Sequence, residues 1–182
     1  MEENGVSEVI LVGQSLGGYF SQSFIKSYPA MAKGFVGIDT TPYGERYYSK
    51  LDRWWLRQIE WMAYLYPHKM MKRALAKQVS TTKYAYDNMC LILEQYTKEE
   101  ICHLMGIGYA SFLDDNTDID ISCPVLLLLG ECDKTGKVQM YNRTWAEEKG
   151  YSLLIIKDAA HNANVDNPME VNSAIDGFII SL

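Results

Sequence analysis

Histidine and proline are scarce in this chain, three and five among 182 residues. None of the histidines is paired at metal-ligand spacing, and the four cysteines, Cys90, Cys102, Cys123 and Cys132, form no C-x-x-C. Those absences leave no signature of a zinc site or a disulfide framework, so reduced thiols, no metal and a cytoplasmic location are the plain reading. No G-x-G-x-x-G is present, and the glycine-rich turn Gly13–Gly18 is not followed directly by Lys-Ser/Thr. A dinucleotide or phosphate-loop site is therefore not expected, and no cofactor is implied. No apolar run approaches the roughly 20 residues of a membrane span. The start, Met1-Glu2-Glu3-Asn4-Gly5, is acidic and lacks the apolar core of a secretion signal. Positive charge is in deficit: 17 Lys and Arg face 23 Asp and Glu, a net charge of −6. That balance argues against nucleic acid or an anionic membrane surface as the main partner.

What the chain does have is apolar residues, 48% of the total, in a length that fits one domain with a proper core. The run Val9-Ile10-Leu11-Val12 reads as a buried strand leading into Gly13-Gln14-Ser15-Leu16-Gly17, with Gly18-Tyr19 opening a helix to Tyr28 that Pro29 ends. G-x-S-x-G between strand and helix is a nucleophile elbow: a serine on a sharp, strained turn, with residues lacking side chains two positions either side so that strand and helix can approach. Gly34–Asp39 reads as a second strand, and the order strand, helix, strand implies a parallel sheet. From Tyr43 to about Asn116 only helical stripes occur, rich in aromatics and methionine. One runs from Trp54 to Tyr66 and stops at Pro67, one carries Met70, Met71, Leu75 and Val79, and one runs from Tyr84 to Tyr96. A capping box, Thr97-Lys98-Glu99-Glu100, opens the fourth. Such a block between two strands is an insertion; by default its stripes are core, and placed over a site they line an apolar pocket with methionine as an adaptable wall.

After a polar connector, Asp114–Asp118, the continuous run Cys123–Leu129 has the character of a parallel strand buried on both faces. A helix from about Val138 to Lys149 ends at Gly150, Tyr151–Ile156 is the last strand, and Pro168 opens a terminal helix. The expected architecture is α/β: a mostly parallel sheet with flanking helices and an inserted helical cap. It forms a single unit over 1–182, with core 1–42 and 117–182 and cap 43–116.

Three polar residues then occupy equivalent places. Ser15, Asp133 and His161 each follow the C-terminal end of an expected parallel strand, the edge where open α/β sheets place their sites. Glu131 is a rival acid, and Asp39, at the end of the second strand, is an alternative acid position. The order Ser, Asp, His, together with G-Q-S-L-G-G, P-V-L-L-L-L-G-E-C-D and the A-A-H-N loop, resembles an α/β-hydrolase from about Val9 to the end of the chain. The resemblance implies a capped, esterase- or lipase-like serine hydrolase. Ser15 would be the nucleophile, His161 the general base and then acid, and Asp133 the group that orients the imidazole. The backbone N–H of Leu16 would be one oxyanion-hole donor, and the substrate a small carboxylic ester with an apolar acyl group. It equally allows cleavage of C–C, N-terminal proline peptide or thioester bonds.

The departure from that family is at the front. Its members carry further strands before the nucleophile strand, and one of those loops supplies the second oxyanion donor. Here the strand that is normally central is expected at an edge, with unpaired N–H and C=O groups, to be covered by a missing N-terminal segment or by another copy in a homo-oligomer. The rival expectation is a hydrolase-derived ligand-binding or interaction module, catalytically silent for want of that donor.

Overall fold

The structure, a computed structural model, describes residues 5–115 and 118–182, with no side-chain placement for 114 and 115. The first four residues of the acidic start, and the middle of the Asp114–Asp118 connector, lie outside the described residues.

Strand β1 (Val9–Gln14) leads into helix α1 (Leu16–Ser27), and strand β2 (Ala32–Ile38) follows. The helix therefore begins at Leu16, three residues before the expected aromatic stripe. Strand β3 (Val125–Gly130), helix α8 (Val138–Lys149) and strand β4 (Ser152–Ile156) come later in the chain. Helices α9 (Ala163–Asp166) and α10 (Pro168–Ile180) close it. The four strands form one parallel sheet in the order β1-β2-β3-β4. Sequence order and spatial order coincide, so all four C-terminal ends lie along one rim.

Side chains alternate across the sheet as a period of two requires. Phe35 and Leu127 point to one face, where Ile25 of α1 and Trp145 of α8 bury them. Val36, Leu126 and Leu128 point to the other, against Val171, Ile175 and Phe178 of α10. All six residues of β3 are buried, which explains its uninterrupted apolar run. At Gly150 the left-handed φ of 68° stops α8 and turns the chain into β4.

Between β2 and β3 the described residues form helices α2 (Lys50–Leu56), α3 (Ile59–Tyr64), α4 (His68–Val79), α5 (Lys83–Glu94), α6 (Lys98–Ala110) and α7 (Phe112–Asp115). The single stripe expected from Trp54 to Tyr66 is split between α2 and α3. Gln58 Nε2 and Trp61 Nε1 hold the break, donating to Trp54 O at 3.0 Å and to Gln58 Oε1 at 2.8 Å. The capping box at the start of α6 is formed: Thr97 Oγ1 accepts from Glu100 N at 3.2 Å, and Glu100 Oε2 accepts from Thr97 N at 2.8 Å. Among the described residues, no helix is long and apolar enough to cross a membrane.

Candidate active site

Ser15 sits at φ 49° and ψ −117°, outside the regions an L-residue ordinarily occupies. Its backbone is pinned from both sides. Ser15 N donates to Ile38 O at 2.9 Å, while Ser15 O accepts from Gly18 N at 2.9 Å and from Thr40 Oγ1 at 2.8 Å. The glycines divide the steric work differently from the expected pattern. A Cβ on Gly13 would fall 2.5 Å from the Gly17 carbonyl carbon, so that position must be bare. Gly17 itself faces open space, and the close approach is made by Gly18, where a Cβ would lie 2.5 Å from Thr40 Cβ. The expectation that Gly17 is needed for packing is thereby corrected: the strand-to-helix contact falls one residue later, because Thr40 at the end of β2 reaches over the first turn of α1.

Ser15, Asp133 and His161 come together. Ser15 Oγ lies 2.8 Å from His161 Nε2, and His161 Nδ1 lies 2.9 Å from Asp133 Oδ2. Asp133 is fully buried at its carboxylate, and its other oxygen accepts from Thr135 N at 2.7 Å. An ionised carboxylate only accepts, so the proton of a neutral imidazole sits on Nδ1 and leaves Nε2 free to accept from the serine hydroxyl. Glu131 does not compete. It lies outside this line and accepts from Asp158 N at 3.2 Å, bracing the loop after β4. Leu16 opens α1, where the first N–H groups of a helix have no intrahelical acceptor, and it lines the same cavity as Ser15.

The loop carrying His161 is held from several directions. Gln14 Nε2 donates to His161 O at 2.8 Å, and Asn162 N donates to Val79 O at 2.9 Å. Asp166 collects Ala160 N at 2.9 Å from its own loop, together with Thr81 N at 3.0 Å, Thr82 N at 2.9 Å and Thr82 Oγ1 at 3.0 Å from the turn between α4 and α5. Glycine at 130 lets this loop cross the end of β3: a Cβ there would lie 2.7 Å from Ala159 O and closer still to Ala160 O.

Asp39 is not the acid of the line. It sits at φ 45° and is 1% exposed, with Oδ1 accepting from Gly130 N at 2.7 Å and Oδ2 from Ala163 N at 3.2 Å. It thus ties the ends of β2 and β3 to the His161 loop. Burial pushes its carboxyl up to about 7, against the lowering pull of the Gly130 N–H and the nearby His161. The sequence marked Asp39 only as an alternative acid. Its bridging role depends on two partners about a hundred residues away and has no local signal.

A cavity of about 400 Å³ opens over Ser15 and His161, walled by Tyr19 and Tyr48 on one side and by Leu93, Met105 and Tyr109 on the other. The hydroxyls of Tyr19 and Tyr48 are already engaged. Tyr19 Oη is 2.6 Å from Thr41 Oγ1, and Tyr48 Oη donates to Pro42 O at 2.8 Å and lies 2.7 Å from Thr41 Oγ1. Burial raises Tyr19 to about 12 and also raises Tyr48, so both present neutral rings to the cavity. Among the described residues of the wall, Lys137 is the one lysine or arginine, and it donates to Asp52 at 2.5 Å. Among the described residues, no three His, Cys, Asp or Glu side chains converge as a metal ion would need.

No protein-family model and no curated protein matches the sequence. Solved structures do match in shape. A thermophilic esterase superposes with a TM-score of 0.76 at 21% identity, covering 98% of this chain and 68% of its own. BpoC from Mycobacterium tuberculosis H37Rv, which carries the name non-heme bromoperoxidase, gives 0.73 at 18% identity, covering 99% and 69%. The esterase from Thermogutta terrifontis with malate bound gives 0.68 at 18% identity, covering 99% and 67%. With its parallel sheet and flanking helices, the chain has the α/β-hydrolase fold. It spans about two-thirds of the length of each of these neighbours.

Proposed function

We propose that this chain is a serine hydrolase that cleaves a carboxylic ester through an acyl-enzyme. The reading rests above all on the unbroken line from Ser15 Oγ through His161 to Asp133, with contacts of 2.8 and 2.9 Å at the floor of an apolar cavity. Ser15 Oγ attacks the ester carbonyl while His161 Nε2 takes its proton. The buried Asp133 carboxylate stabilises the imidazolium. The Leu16 N–H donates to the oxyanion of the tetrahedral intermediate, a contribution that typically changes turnover by about 10²–10³. Collapse breaks the ester C–O bond, His161 returns the proton to the departing alkoxide, and a water activated by the same imidazole then hydrolyses the acyl-serine.

Helices α2–α7 act in this reading as a cap that selects an apolar acyl group, since the aromatic and methionine walls leave no unpaired charge for a polar one. The open edge of β1 takes a further strand, from a preceding segment or a second copy, and with it a second oxyanion donor. Four free cysteines favour the cytoplasm as its location.

A fluorophosphonate probe should label wild type at Ser15, and Ser15→Ala should lose both labelling and p-nitrophenyl butyrate hydrolysis. A folded wild-type protein that neither labels nor hydrolyses the ester overturns the reading. Ligand binding that survives Ser15→Ala without turnover in wild type would identify a silent binding module instead.

A further inference from the structure

The cavity over Ser15 has a neighbour. A second cavity of about 270 Å³ lies among α3, α4 and α6, lined by Ile59, Met62, Met71 and Ala74, with Gln78 at its rim and, among the described residues, no charged side chain in its wall. Leu75 and Met105 line both cavities. They form the partition, one from α4 and one from α6, and both are only partly buried.

We propose that the two cavities form one track for a long unbranched aliphatic arm of the ester, with Leu75 and Met105 as the gate between its proximal and distal parts. The inference rests on the reading of Ser15 as nucleophile, which fixes where the carbonyl sits. Four observations carry it. The cavities share walls, so a chain leaving the carbonyl passes from one to the other by displacing two side-chain ends and no backbone. Methionine and leucine are suited to that displacement: Met105 has three rotatable bonds and a polarisable sulfur, and Met62 and Met71 beyond it form an equally adaptable lining. The distal wall offers an aliphatic chain contact without stranding a charge. Finally, Ala74 and Gln78 are exposed at the rim, so the track is open at its far end and sets no abrupt upper limit on chain length. A branched or ring-bearing arm would need the partition held wider than two side-chain ends allow.

Which arm of the ester carries the chain, acyl or alcohol, is decided by paired substrate series: p-nitrophenyl acetate, butyrate, octanoate and laurate, and butyl, octyl and lauryl acetates. In one series kcat/KM should rise with length, by about fourfold for each methylene that leaves water. Ala74→Trp, introduced at the exposed rim, fills the distal cavity and should lower the laurate-to-butyrate ratio (or lauryl to butyl) by about tenfold or more. Met105→Ala opens the partition and should raise the ratio. Ratios unchanged in both series and both variants overturn the track. Should wild type hydrolyse no ester at all, the nucleophile reading fails, and calorimetry with free fatty acids decides the track by itself. Laurate binding more tightly than butyrate, with the difference lost in Ala74→Trp, supports it; equal binding overturns it.

Discussion

The rim of the sheet and the helices over it are built to different standards. At the rim, Ser15, Asp39, Asp133 and His161 come from four separate stretches of chain, and each is held by named hydrogen bonds at 2.7–3.2 Å. Glycines there are bare because backbone or a β-branched side chain occupies the space, as at Gly13, Gly18 and Gly130. The helical segment is looser on its outer side. Gly106 of α6 packs on the Glu60 side chain, but Gly108 faces open space, and Trp54, Trp61, Leu65, Met70 and Tyr84 stand more than half exposed. The contrast separates two demands. Proton transfer needs atoms fixed to within a few tenths of an ångström, whereas an apolar pocket needs only volume and adaptable walls.

The sharpest way to test that contrast is to disturb the rim without changing its shape. Asp133→Asn keeps the volume but takes away the charge and can hold the wrong imidazole tautomer, so kcat should fall by about 10⁴. Steady-state ester hydrolysis checks this, with thermal unfolding to show that the fold persists. Gly130→Ala comes next. Its Cβ meets two backbone carbonyls of the His161 loop, and stability should drop by roughly 3 kcal/mol or more in urea titration, with activity lost alongside.

Asp39 gives an effect that depends on pH. Its carboxyl is raised from 3.8 to about 7 in the folded protein, so between those values the folded state binds more protons than the unfolded one. Stability therefore falls as pH rises through that window, by at most about 1.4 kcal/mol per pH unit from this group. The urea midpoint followed from pH 4 to 8 should show the decline in wild type and a flatter profile in Asp39→Asn. The smallest effects belong to the helices. Gly108→Ala should stabilise by about 0.5–1 kcal/mol, since a Cβ meets nothing there and α6 gains from the lost backbone freedom of the unfolded chain. Thr97→Ala should cost about 1 kcal/mol through the broken capping box. If Gly108→Ala instead destabilised as much as Gly130→Ala, the contrast between the two regions would collapse.

The same division explains what could be read from the sequence. Ser15, Asp133 and His161 were legible because each follows a strand whose apolar run is a local signal, and a parallel sheet in sequence order brings strand ends to one rim. The start and end of α8 were legible too, since Gly150 marks its stop. The replacement of Gly17 by Gly18 as the packing glycine was not, because it depends on Thr40 arriving from another strand. The break between α2 and α3 contains neither Gly nor Pro, and is held by side-chain hydrogen bonds that no periodicity announces. Least legible was the partition at Leu75 and Met105. Either residue reads as core on its own helix, and only the packing of the two helices in the fold brings both to the two cavities.

The carboxylate of Asp166 joins the α4–α5 turn to the stretch of backbone that bears the imidazole. Mechanically, Thr81 and Thr82 are a fixed point in the roof. A displacement of α4 and α5 at that turn is thereby passed through one carboxylate to the loop that carries His161.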